Sequence, residues 1–140
     1  MADNIYNEVL IDHNLHPVHL HEMPCATCSQ AGLNPTCGDQ LTLNLKIEDG
    51  VISDGSYTGV GCAISNASAD IMLDLVIGRP VEEAKHLSEL FAKMIKGSIT
   101  DPELEELEEA GALQNISKMP ARVKCATLGW KTLDKLLENS

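Results

Sequence analysis

Positive charge is scarce in this chain: across 140 residues, ten lysines and arginines stand against 21 aspartates and glutamates, a formal charge of -11 at pH 7. A field of that sign opposes every phosphate contact, so nucleic acid and anionic membrane surfaces are excluded as partners and proteins with a basic patch are expected instead. Long apolar runs are also lacking, and none reaches the roughly 18 residues that a membrane span requires. Met1-Ala2-Asp3-Asn4 is polar, with no charged stretch leading into an apolar one, so the expectation is a cytoplasmic protein whose thiols stay reduced. Five cysteines is an odd count, and in that compartment cysteines point to metal or catalysis before disulfides. What is present, 44% hydrophobic and 22% charged residues, is globular, and the length suits one domain over 1–140, expected to be a monomer.

Along the chain, Ile5, Val9 and Leu10 suit a short amphipathic helix over 4–13. Residues 16–28 have no period and read as loop, although three histidines and Cys25-x-x-Cys28 invite a second metal site. Pro24-Cys25-x-x-Cys28 also matches half of a zinc deaminase signature, but no His-x-Glu precedes it. The alternative is a mobile segment with two reduced thiols. Leu41, Leu43, Leu45 and Ile47 alternate with polar residues as a strand with one buried face, and Asp49-Gly50 turns it into a partner strand over 51–60.

From Ala63 the period becomes helical, with Ile64, Ala67, Ile71 and Leu75 on one stripe that stops at Gly78. Pro80 opens another helix stopped by Gly97, and Asp101-Pro102 begins a third. The five glutamates between Glu103 and Glu109 read as a solvated face, with a docking surface as the sharper alternative. Met119-Pro120 precedes a final helix with Val123, Trp130, Leu133, Leu136 and Leu137 toward the core. Trp130 reads as a packing anchor, His86 as a surface histidine, and Ser65 and Ser68 as packing or capping residues.

Three separated segments carry the chemistry. In Asn34-Pro35-Thr36-Cys37-Gly38-Asp39, the thiol and carboxylate of Cys37 and Asp39 can reach one ion from a loop sharpened by Pro35 and Gly38. Gly59-Val60-Gly61-Cys62 places a thiol where a strand ends and a helix begins, a position that favours thiolate. Arg122-Val123-Lys124-Cys125-Ala126 places another near the start of the last helix. Three thiols and one carboxylate, Cys37, Asp39, Cys62 and Cys125, fill the four positions of a tetrahedral zinc site.

Together these segments resemble the IscU/SufU/NifU-N family of iron-sulfur cluster assembly proteins, across nearly the whole chain and in the family's order. The resemblance is closer to the SufU-type branch: Lys124 stands where the scaffold proteins have a histidine, and the stretch from Arg79 to Met119 is longer than theirs. It implies an α+β, SufE/NifU-like fold, with a small antiparallel sheet of about three strands packed against several helices; the residue pattern places two of those strands and leaves the third unplaced. It also implies a zinc-dependent sulfur acceptor, a sulfurtransferase-like carrier that takes persulfide sulfur from a SufS-type cysteine desulfurase and passes it to other cluster-assembly proteins. The competing readings are a scaffold holding a [2Fe-2S] iron-sulfur cluster on the same residues and a purely structural zinc domain. Zinc with three thiolates and a carboxylate sums to about -2, which Arg122 and Lys124 are placed to offset unless they are ordinary surface charges. Cys37, on a loop, is the expected sulfur acceptor, freed when a desulfurase residue takes its place on zinc; Cys125 is the runner-up.

Overall fold

The computed structural model describes residues 8–35 and 38–138. Cys37, Thr36 and Ile5 therefore lie outside the described residues. The chain runs α1 (Glu8–Leu15), β1 (Cys28–Asn34), β2 (Asp39–Glu48), β3 (Val51–Val60), α2 (Ala63–Val76), α3 (Val81–Lys96), α4 (Asp101–Glu106), a 3-10 segment (Glu108–Lys118) and α5 (Pro120–Glu138). The expected α+β fold with a three-stranded antiparallel sheet is borne out, in the order β1-β2-β3.

The β2–β3 hairpin forms where the alternation and turn chemistry ask for it. Leu41, Leu43 and Leu45 are buried while Gln40 faces out, and Asp49 and Gly50 both take positive φ, 53° and 78°, as a type I′ turn requires. The strand that sequence left unplaced is β1, which begins inside the supposed loop at Cys28 and pairs along β2 from Cys28↔Leu45 to Asn34↔Asp39. Its inward positions include Gln30 and Gly32, so burial alternates but hydrophobicity does not. A period-2 apolar signal was never there to read.

One sheet face packs on helices. α2 runs through the middle of the fold against α1, α5, the 3-10 segment and β3. Its burial extends beyond the apolar stripe to Ser65, Ser68 and Asp70. Trp130 anchors α5 as expected: its ring stacks on Phe91 at 4.3 Å and its indole N–H donates to Ser68 Oγ at 3.3 Å, while Ser68 donates to the Ala126 carbonyl at 2.6 Å. Ser68 is therefore a packing residue, bridging α2 to α5.

The glutamate run is more than a solvated face. Leu107 within it is fully buried, and four of its five carboxylates have ion-pair partners: Glu103 with Lys93, Glu106 with His86, Glu108 with Arg79, Glu109 with His13. Among the described residues no helix is long and apolar enough to cross a membrane.

Candidate metal centre

The hairpin and the two helices that follow it in space deliver the separated segments to one place. β1 and β2 pair Asn34 with Asp39 at the end of the sheet, and β3 ends at Val60, opposite Gln40. Gly59 makes that approach possible. Its φ is 131°, and a Cβ there would lie 2.1 Å from the Gln40 carbonyl oxygen, so only glycine lets β3 pass and present Gly61-Cys62 beside Asp39.

Cys62 is the N-cap of α2, in extended conformation, and its Sγ accepts the Ser65 N–H at 3.4 Å. The sequence expectation of a thiol at this helix terminus is thus met. Sulfur occupies the place a Ser or Asp oxygen usually takes, where orphan N–H groups and the helix dipole favour negative charge. Cys125 lies two turns into α5 and is fully buried.

Donor atoms of Asp39, Cys62 and Cys125 all lie within 4.8 Å of one another. Asp39 is only 2% exposed, and its carboxylate is held from two sides: the Cys62 N–H donates to Oδ1 at 3.0 Å and the Asn34 amide to Oδ2 at 3.4 Å. The same amide lies 4.0 Å from Cys125 Sγ. Among the described residues, no ion pair reaches Asp39. Among the described residues the Asp39 carboxylate has neutral hydrogen-bond partners, and beside two thiols it forms a donor set that could hold a cation. Zinc suits it, since a tetrahedron of Zn–S and Zn–O bonds of about 2.3 and 2.0 Å separates the donors by about 3.5–3.8 Å.

Of the other candidates, Lys124 is exposed and lines, with Asn34, Pro35, Thr127 and Lys131, a hollow of about 240 Å³ beside the centre. Arg122 is half-buried in the first turn of α5. Cys25 is exposed and Cys28 half-buried, at the end of β1 remote from Asn34. Among the described residues, the only grouping of donors that includes a cysteine is the one at Asp39. In the sequence Asn34 stands out only as part of a motif; its bridging role depends on a cross-strand pair and on a helix residue 91 positions away.

A three-stranded sheet backed by helices, with two thiols and a carboxylate brought together from the start of a strand, a helix N-cap and the early turns of another helix, defines a domain whose tertiary fold assembles donors that could hold a metal ion. The chain belongs to the NifU-like N terminal domain family, whose model matches residues 5–139. The expected place in the IscU/SufU/NifU-N family, SufU-type branch, is thereby borne out. It is 38% identical over 133 residues to the zinc-dependent sulfurtransferase SufU of Bacillus subtilis, covering 95% of this chain and 89% of that one. To the iron-sulfur cluster assembly scaffold protein IscU of Thermotoga maritima it is 40% identical over 134 residues, covering 96% and 93%. A SufU crystal structure from Fervidobacterium islandicum superposes with a TM-score of 0.89 at 32% identity, covering 95% and 96% of the two chains.

Proposed function

We propose that this protein is a zinc-dependent sulfur acceptor in iron-sulfur cluster assembly, receiving persulfide sulfur from a SufS-type cysteine desulfurase, with Cys37, Asp39, Cys62 and Cys125 as zinc ligands. The observation that carries this reading is the convergence of Asp39, Cys62 and Cys125 within 4.8 Å, from positions 23 and 86 residues beyond the first. Bound zinc would keep the thiols deprotonated at neutral pH and, being undemanding in geometry, tolerate exchange of one ligand.

The chain's own residues supply the rest. Asn34 and the Cys62 N–H fix the Asp39 carboxylate. The α2 terminus stabilises the Cys62 thiolate through the Ser65 N–H, and α5 holds Cys125 away from solvent. Two of the three thiols are thus anchored by helices, and Cys37, two residues before Asp39, is the one assigned to move. In the transfer, the Cys37 thiolate attacks the terminal sulfur of the donor persulfide. A new S–S bond forms on Cys37, the donor's S–S bond breaks, and the desulfurase cysteine departs as thiolate. Lys124, at the rim, is placed to attract an anionic donor, with Arg122 as a second cation on the same turn.

Desulfurase turnover with and without this protein tests the reading, together with transfer of labelled sulfur to each cysteine-to-alanine variant. Stimulated turnover and loss of label in Cys37→Ala are expected. Undiminished labelling of Cys37→Ala ends that assignment, and unchanged turnover ends the acceptor role. The second reading, a [2Fe-2S] scaffold, is supported by similarity to a protein named as IscU scaffold; anaerobically purified protein with a visible absorption band and no zinc would favour it.

A further inference from the structure

A second constellation lies farther along α2, where α1, residues 16–19 and the 3-10 segment meet it. Asp70 and Asp74 follow Cys62 by eight and twelve residues, roughly 12 and 18 Å along the axis. His13 is buried, at 6% exposure. Its Nδ1 lies 2.6 Å from Oδ2 of Asp70. Asp70 has no exposure at all, and its Oδ1 accepts the Val18 and His19 N–H groups at 3.1 and 2.8 Å.

Asp70 thereby favours a proton on His13 Nδ1 and leaves Nε2 directed at Glu109 and Asp74. There Nε2 meets oxygen acceptors only, Glu109 Oε1 at 2.9 Å and Asp74 Oδ2 at 3.8 Å. Asp74 Oδ1 is in turn 2.7 Å from His19 Nε2. Among these oxygens Nε2 needs a shared cation, either a metal ion or a second proton on the ring.

The local charge points the same way. Three carboxylates face two imidazoles, and no lysine or arginine pairs with Asp70, Asp74 or Glu109 in the ion pairs of the described residues; Arg79, which reaches Glu108, is held there and by Glu83. A cavity of about 50 Å³ adjoins Asp74 and Glu109, without His13 in its lining.

We propose that His13 Nε2, Asp74 and Glu109 bind a divalent first-row transition-metal ion, with Asp70 as the carboxylate that orients the imidazole. The three donor atoms lie within 4.8 Å of one another, and the Asp70–His13 pair is the carboxylate–histidine arrangement that metal-binding histidines use to fix their tautomer. A nitrogen and two carboxylates suit zinc, manganese or ferrous iron, whereas the thiolates at Cys62 and Cys125 select softer occupants, so the two sites differ in preference. An ion here would tie α1 and the 3-10 segment to α2. The rival occupant is a proton on Nε2: burial lowers the pKa of His13, but the hydrogen bonds to Asp70 and Glu109 and their charges outweigh it and raise it above the ordinary imidazole value.

Manganese separates the two sites, because it favours nitrogen and oxygen donors over thiolate. Protein holding a single equivalent of zinc, which the thiolates take, titrated with Mn²⁺ and followed by electron paramagnetic resonance should bind one Mn²⁺ per chain, with affinity at least about tenfold weaker in Glu109→Gln and Asp74→Asn. Both carboxylates are substantially exposed, at 58% and 41%, so these variants leave the core intact. In the unmodified protein, substoichiometric Mn²⁺ should broaden the His13 ring resonances selectively. No bound Mn²⁺, equal binding in both variants, or broadening that spares His13 overturns the proposal and leaves the proton as occupant.

Discussion

Asn34 shows how much of the candidate centre rests on a side chain that is not one of the four proposed ligands. Its buried amide donates to Asp39 and lies against Cys125 Sγ, so it sets the distance between two of them. Asn34→Ala should leave every proposed ligand in place and still weaken zinc binding by about tenfold or more, as loss of an outer partner does in other metal sites; competition with a chromophoric chelator measures it. Asp39, Cys62 and Cys125 were legible in the sequence because each sits in a short motif of distinctive chemistry. Asn34 stood inside such a motif, yet nothing local announces which way its amide turns. His13 and Asp70 were illegible for a plainer reason: they are 57 residues apart and neither spacing nor period links them.

At the scale of elements, the end of β3 and the start of α2 decide whether Cys62 arrives beside Asp39. Gly59→Ala combines a left-handed φ with a steric overlap on the Gln40 backbone, so a loss of about 1–3 kcal/mol is expected. Zinc content should fall with it, both measurable in one denaturation and metal-analysis series. Farther along, α4 starts on a capping box in which the Thr100 hydroxyl accepts the Glu103 N–H and Glu103 reaches back to the Thr100 N–H. Thr100→Ala should cost about 1 kcal/mol in urea denaturation, without touching the metal centre. The Glu103 carboxyl is held at about 2, chiefly by Lys93 and then by the Thr100 backbone. Because that value is depressed, its stabilising contribution is present above the ordinary carboxylate range and is lost as pH falls toward about 2. The hairpin and the long helices were readable from period and turn residues. β1 was not, since its inward positions are small or polar and its partner β2 supplies the hydrophobicity.

Across the whole molecule, we propose that the chain unfolds as one domain, since the buried apolar residues among those described, Met23 apart, form a single cluster that includes Leu10 of α1 and Leu137 of α5. Trp130 fluorescence and far-ultraviolet circular dichroism should then report one coincident transition, and chelation of zinc should lower its midpoint. Two separate transitions would contradict the single domain. The excess of acid over base leaves its mark on α5. Partial desolvation, together with Glu138 and Glu89, raises the pKa of Asp134 against the opposing hydrogen bond from Ser88, although the residue stays exposed. A raised carboxyl favours folding while protonated, so its contribution is present below the unfolded value and lost as pH rises through the folded one. Asp134→Asn should therefore stabilise the protein slightly at neutral pH, by less than about 1 kcal/mol because the group is exposed to solvent, and should make no difference in acid.

Zinc-edge X-ray absorption on the purified protein tests the central claim most directly. Three sulfurs at about 2.3 Å and one oxygen at about 2.0 Å are expected for Cys37, Cys62, Cys125 and Asp39 around one ion. A zinc shell of nitrogen and oxygen alone, or protein that holds no zinc after metal loading, would contradict it.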